Sequence, residues 1–189
     1  MRLEGVRIHA GHPRVKRVKP LLLVDVDGVL NPFGRPNGDF RRYLCTIGPD
    51  SYTVHLNVRH GARLMELALK TRSELVWATT WEHSANEWIA PRIGLPRLPV
   101  VPMEPKRPSE RGESFKTPCV ADYVDRRPFV WFDDHLWAAD EEYLRAHQGV
   151  DDFLLVPVDP RHGLTMRHLA AAERWLTLSG FNQGRGQER

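Results

Sequence analysis

Short apolar runs that stop abruptly in acid or hydroxyl residues set the rhythm of this chain. "LLLV" runs into Asp25-Val26-Asp27-Gly28, and "ELVWA" into Thr79-Thr80. "FVWF" runs into Asp133-Asp134, and "FLLVPV" forms a last apolar run. The first run, from Pro20 to about Val26, is apolar throughout, as a central strand covered on both faces should be. Between the runs the period changes. "GARLMELALK" places Leu64, Leu67 and Ala68 at helical spacing. "EHSANEWIA" reads as a helix that Pro91 ends. "CVADYVDRR" reads as a short helix with Val120, Tyr123 and Val124 on one side. "AADEEYLRAHQG" reads as a helix closed by Gly149, and Thr165 as the N-cap of a last helix to about Leu178, stopped by Gly180. "LPVVPM" reads as a further short strand, and Met103 to Pro118 as a charged loop.

One stretch breaks the alternation. Asn31 to Gly38 is a Gly/Pro/Asn-rich loop, and "RYLCTIGPDSYTVHL" then reads as a β-hairpin around Gly48-Pro49-Asp50-Ser51. Elsewhere, strands alternating with helices predict a parallel sheet with helices on both faces. Such sheets bind ligands at the carboxyl ends of their strands. Asp25/Asp27, Thr79/Thr80 and Asp133/Asp134 all fall at such ends, so they are expected to converge.

Composition changes this picture little. The 189 residues, 41% hydrophobic and 27% charged, suit one domain with a sizeable core. The net charge of +3 is compatible with an anionic substrate without specifying nucleic acid. Arg14, Lys16, Arg17 and Lys19 concentrate charge in the leader, read as a solvated terminus. Cys45 and Cys119 are the only cysteines and suggest neither a secreted framework nor a zinc site. No apolar run approaches a membrane span and no signal segment is evident, so a cytoplasmic protein with no membrane partner is expected. The expected division is a leader over 1–19, a domain over 20–179 with its hairpin at about 40–57, and a polar tail over 180–189.

Two carboxylates two residues apart at a strand end have three explanations: a turn cap, a metal site, or a nucleophile with its acid/base partner. A turn accounts for one Asp but not the second, nor for the acids after the fourth strand. Four acids brought together would raise one another's pKa, and a divalent cation such as Mg²⁺ resolves the repulsion. An aspartate can also attack phosphorus, with a second acid protonating the leaving oxygen. Gly28 lets the backbone turn close to a substrate. Thr79 offers a hydroxyl and Lys116 a positive charge for a developing phosphoryl anion.

The ordered set Asp25-x-Asp27, Thr79, Lys116 and Asp133-Asp134 resembles the four motifs of the haloacid dehalogenase (HAD) superfamily, over roughly residues 20 to 178. Response-regulator receivers use similar residues in a different order. The resemblance implies a Rossmann-like, three-layer α/β fold with a central parallel sheet and a small β-hairpin flap. It implies a phosphatase with Asp25 as nucleophile and Mg²⁺ ligand, and Asp27 as general acid/base with its backbone carbonyl on the metal. Thr79, Lys116 and the Gly28 backbone would hold the phosphoryl group. Asp134 would ligate the metal directly, with Asp133 behind it. Asp27 favours phosphate chemistry, because members that cleave carbon–halogen bonds generally lack that second acid. Neither insertion point leaves room for a large cap, and minimally capped members have open sites that often act on macromolecules. More narrowly, "LVWATTWEHSAN" with "VWFDD" resembles the HAD domain associated with Swiss-Army-knife RNA-repair proteins, which would suggest a phosphorylated nucleic-acid end as substrate. The alternatives are a non-catalytic module that binds phosphorylated RNA or DNA ends, and a phosphotransferase. Oligomeric state is left open.

Other residues read as structural first. Trp77 and Trp131 are expected in the core, and Trp81 and Trp88, seven apart, on the core side of a helix. Lining the site or stacking on a base is the minority reading for Trp81. Thr80 reads as a helix N-cap, with a second phosphate donor as the minority reading, and His83 and His135 as surface residues near the mouth of the site. Lys106, Arg107 and Arg111 form a solvated loop, with an electrostatic rim as the functional alternative. Arg41 and Arg42 carry the same pair of readings.

Overall fold

The computed structural model describes residues 18–34, 38–103, 109 and 111–179. The leader up to Arg17, the tail from Gly180, and Lys106 with Arg107 lie outside the described residues. Four parallel strands form one sheet in the order β4-β1-β5-β6: β1 (Leu21–Val24), β4 (Glu74–Trp77), β5 (Phe129–Asp133) and β6 (Phe153–Pro157). Val24 pairs with Trp77 on one side and with Phe132 on the other. This register brings the ends of three strands level, so the residues that follow them meet. β2 (Phe40–Ile47) and β3 (Asp50–Asn57) form a separate antiparallel hairpin, the flap.

Alternation within the buried strands builds the two outer layers. Leu22, Val24, Val130 and Phe132 face α1 (Arg59–Thr71) and α5 (Met166–Leu178), where Leu64, Leu67, Leu169, Ala172 and Leu176 complete that core. Leu21, Leu23, Val76, Phe129 and Trp131 face α3 (Lys116–Val124) and α4 (Ala138–Ala146) through Val120, Val124 and Leu144. Strands with both faces covered have no polar positions to give, which is why their sequence shows apolar runs rather than alternation.

Four local expectations need correction. Pro91 does not end its helix. A π-helical turn, Ala85–Ile89, runs into α2 (Ala90–Ile93), and the chain turns off at Gly94 with φ +76°. The wide turn accommodates the proline ring, and at the first turn of α2 the missing N–H costs nothing. "LPVVPM" forms no strand, only a bridge between Trp77 and Val100, because Pro96, Pro99 and Pro102 cannot donate to a ladder. α3 begins at Lys116, inside the stretch read as loop. α4 ends at Ala146, and the extended backbone of His147, not Gly149, closes it. The Thr165 cap forms as expected: its N–H donates to Nδ1 of His168 at 3.1 Å. Among the described residues no helix is long and apolar enough to cross a membrane.

Candidate active site

Asp25 directly follows β1 and is buried at 3% exposure. One of its oxygens accepts the Val26 N–H at 2.7 Å, and the other meets the Lys116 ammonium at 2.5 Å. Lys116, the first residue of α3, also reaches Asp133 Oδ2 at 2.8 Å. The second oxygen of Asp133 accepts the His135 N–H at 2.9 Å. One buried cation therefore joins the ends of two strands. The arrangement is held from below by Asp140, which is fully buried. Asp140 accepts the N–H of Ser114, the hydroxyl of Thr117 and the N–H of Trp137. It thereby pins the start of the Lys116 helix to the start of the helix that follows the acid pair.

Asp134 completes a cluster with Asp25 and Asp133, one carboxylate oxygen of each lying within 4.8 Å of the others. Gly28 makes room for it. At φ +72°, a Cβ on residue 28 would fall 2.3 Å from the Asp134 carboxyl carbon. Thr79 follows β4, is fully buried, and hydrogen bonds Asp25 while its Oγ1 accepts the Trp81 N–H at 3.3 Å.

The electrostatics follow from this crowding. Burial, then the Asp133 charge, pushes Asp25 up to about 7 against the pull of Lys116 and Thr79. Burial works against the charged form of Lys116, but Asp25 and Asp133 outweigh it and hold its pKa above the ordinary lysine value. Burial also raises Asp134, with His135 opposing and Asp25 reinforcing the shift. Three carboxylates thus share a single ammonium. That excess of hard oxygen donors fits a hard divalent cation. Both oxygens of Asp133 are engaged by Lys116 and His135, and both of Asp25 by Val26 and Lys116, which leaves Asp134 the freest donor of the three.

Asp27 stands apart from the acid cluster. Its Oδ1 accepts the Asn31 amide at 2.8 Å and its Oδ2 the Trp81 indole N–H at 2.8 Å. It forms the floor of a cleft of about 240 Å³ lined by Ile47 and Tyr52 of the flap and by Thr80, Trp81 and Ser84. Thr80 is exposed in this cleft rather than capping a helix; Ser84 occupies the N-cap position of the π-helical turn and makes no side-chain cap. His83 and His135 are exposed, and His135 stacks on Trp137. Arg41, Arg42 and Arg111 are exposed.

The structure brings Asp25, Thr79, Lys116, Asp133 and Asp134 together, with Gly28 against Asp134, while the Asp27 carboxylate lies in the flap cleft with Asn31 and Trp81. Sequence reasoning missed Asn31, Ser114 and Asp140; Trp81 packs in the core as expected and also lines the cleft, which was its minority reading. Trp81 did carry a signal, an aromatic directly after the Thr pair. Asp140 carried none, because an acid in the first turn of a helix is ordinarily solvated. Trp77 and Trp131 are core residues as expected. A family described as the HAD domain in Swiss Army Knife RNA repair proteins matches residues 21–169. Comparison with curated proteins and with solved structures found no match.

Proposed function

The chain belongs to this HAD family, which supports a phosphoryl-transfer, hydrolase-type function, and from that premise we propose a Mg²⁺-dependent phosphomonoester hydrolase working through an aspartyl phosphate. The observation that carries the reading is the buried Lys116 ammonium bridging Asp25 and Asp133, with Asp134 alongside, at the ends of adjacent parallel strands. An Asp25 carboxylate oxygen attacks phosphorus, and the bond to the leaving oxygen breaks as Asp27 protonates that oxygen. Water then attacks the acyl phosphate, giving its proton to Asp27, and Asp25 is regenerated with release of inorganic phosphate. Lys116 and the Thr79 hydroxyl orient Asp25 and neutralise charge on the phosphoryl oxygens. Asp25 and Asp134, backed by Asp133 and with the Asp27 carbonyl, would hold Mg²⁺, which when bound offsets the negative charge of carboxylates and phosphate together.

The cleft under the two-stranded flap, with no second domain over it among the described residues, supports a large substrate. Together with the RNA-repair description of the family, it favours the phosphorylated end of a nucleic acid. The test is phosphate release from an aryl phosphate and from oligonucleotides phosphorylated at either end, with Mg²⁺ and with chelator, for wild type and Asp25→Asn. Release that needs both the metal and Asp25 is expected. Full turnover by a folded Asp25→Asn refutes the mechanism. Salt-dependent oligonucleotide binding without turnover replaces it with an end-binding module, and transfer to an added alcohol instead of water makes the protein a phosphotransferase.

A further inference from the structure

A phenylalanine at position 81 would fill most of the same space, but the indole there does something a phenyl ring cannot. Trp81 is buried at 8% exposure and packs edge-on to Tyr52 of the flap, ring centres 5.8 Å apart. A buried indole N–H needs an acceptor. Here the acceptor is Asp27, 54 residues away in the chain. The other oxygen of Asp27 is taken by Asn31 Nδ2. Asn31 is itself fixed, because its Oδ1 accepts the His55 N–H of β3 at 2.8 Å. That bond sets which end of the amide is oxygen, so the nitrogen must face Asp27. Asp27 is only half-buried and would otherwise sample several rotamers.

We propose that Trp81 and Asn31 are positioning residues, which grip the Asp27 carboxylate by opposite oxygens and, through Asn31, tie its orientation to the flap. The inference rests on the phosphatase reading of Asp27 given above. Neither residue touches the reacting atoms. They act by holding the acid/base group where the leaving oxygen arrives, and a misplacement of about 1 Å costs on the order of a hundredfold in rate.

Two readouts test this, one independent of turnover. In an amide spectrum of ¹⁵N-labelled protein, the Trp81 indole resonance is identified by its loss in Trp81→Phe. In Asp27→Ala it is expected to shift upfield and lose protection from solvent exchange. An unmoved resonance overturns the grip whether or not the enzyme turns over. In steady-state kinetics, Trp81→Phe is expected to lower kcat about tenfold or more with a smaller change in KM, since the phenyl ring still lines the cleft while the hold on Asp27 is lost. Asn31→Asp, which keeps the shape but sets a carboxylate against Asp27, is expected to lower kcat further. A folded Trp81→Phe with kcat within about twofold of wild type overturns the positioning role. Absence of phosphate release by the wild type from every substrate above refutes the phosphatase reading and the positioning role with it, and the indole resonance then decides the grip alone.

Discussion

Replacing Lys116 with methionine keeps an unbranched stem of similar length and removes only the ammonium. The structure says what that leaves behind. The ammonium lies 2.5 Å from Asp25 and 2.8 Å from Asp133, and the two carboxylate side chains are 4% and 0% exposed. Breaking a buried pair from one side strands the partner's charge, at a cost of about 3–5 kcal/mol. The pH dependence identifies the origin of that cost. Asp25 titrates near 7 when folded against an ordinary 3.8, so between those values the native state binds the extra proton. Stability therefore falls as pH rises through that window. Lys116 is one of the influences holding Asp25 down, so its loss lifts Asp25 further and extends the window upward. Lys116 itself stays protonated throughout, its own pKa being raised. Urea unfolding in chelator, followed by tryptophan fluorescence, should show a loss of about 3–5 kcal/mol near pH ~9 and roughly half of that near pH ~5, where a protonated Asp25 can donate to Asp133. An equal loss at both pH values, or a loss under about 1 kcal/mol at the higher one, refutes the reasoning.

Gly28→Ala combines a left-handed backbone with a Cβ driven into the Asp134 carboxyl, and should lose about 2 kcal/mol or more by thermal melting while weakening Mg²⁺ binding in a calorimetric titration. Asp140→Ala leaves two backbone N–H groups and the Thr117 hydroxyl without their buried acceptor; a loss of about 3 kcal/mol or more in urea is expected, and Asp140→Asn should recover only part of it, because its amide nitrogen would face one of these buried donors. Burial, reinforced by Arg63 and opposed by a bond to the Leu164 backbone, holds His60 at about 4 against an ordinary 6.5. The unfolded chain takes that proton first, so this group withdraws about 3 kcal/mol as pH falls from 6.5 to about 4. Asp25 works in the opposite sense over the same range, so His60→Asn should make stability fall more steeply with rising pH between about 4 and 6.5 than in wild type, and an unchanged slope would show that His60 does not contribute to it.

What the sequence determined by itself was local. Unbroken apolar runs favour strands covered on both faces, and Gly48-Pro49 favours a reversal, so the four sheet strands, the hairpin and the reactive strand ends were legible, while the proline-bearing run "LPVVPM" was over-read as a strand. The ordered Asp, Thr, Lys and Asp-Asp motifs carried the family. Helix ends were less legible, because a π-helical turn before Pro91 depends on neighbours: Asn86 on that turn accepts the Trp77 indole N–H and the Leu98 N–H. Tertiary structure alone decided the order β4-β1-β5-β6, and with it the meeting of Lys116 and Asp25, 91 residues apart. It also decided the use made of Trp81, Asn31 and Asp140. A side chain's period and propensity record only whether it faces inward, whereas its hydrogen-bond partner is set by strand register and helix placement. A buried tryptophan N–H or a helix-start aspartate therefore acquires its role only when the distant group it satisfies arrives.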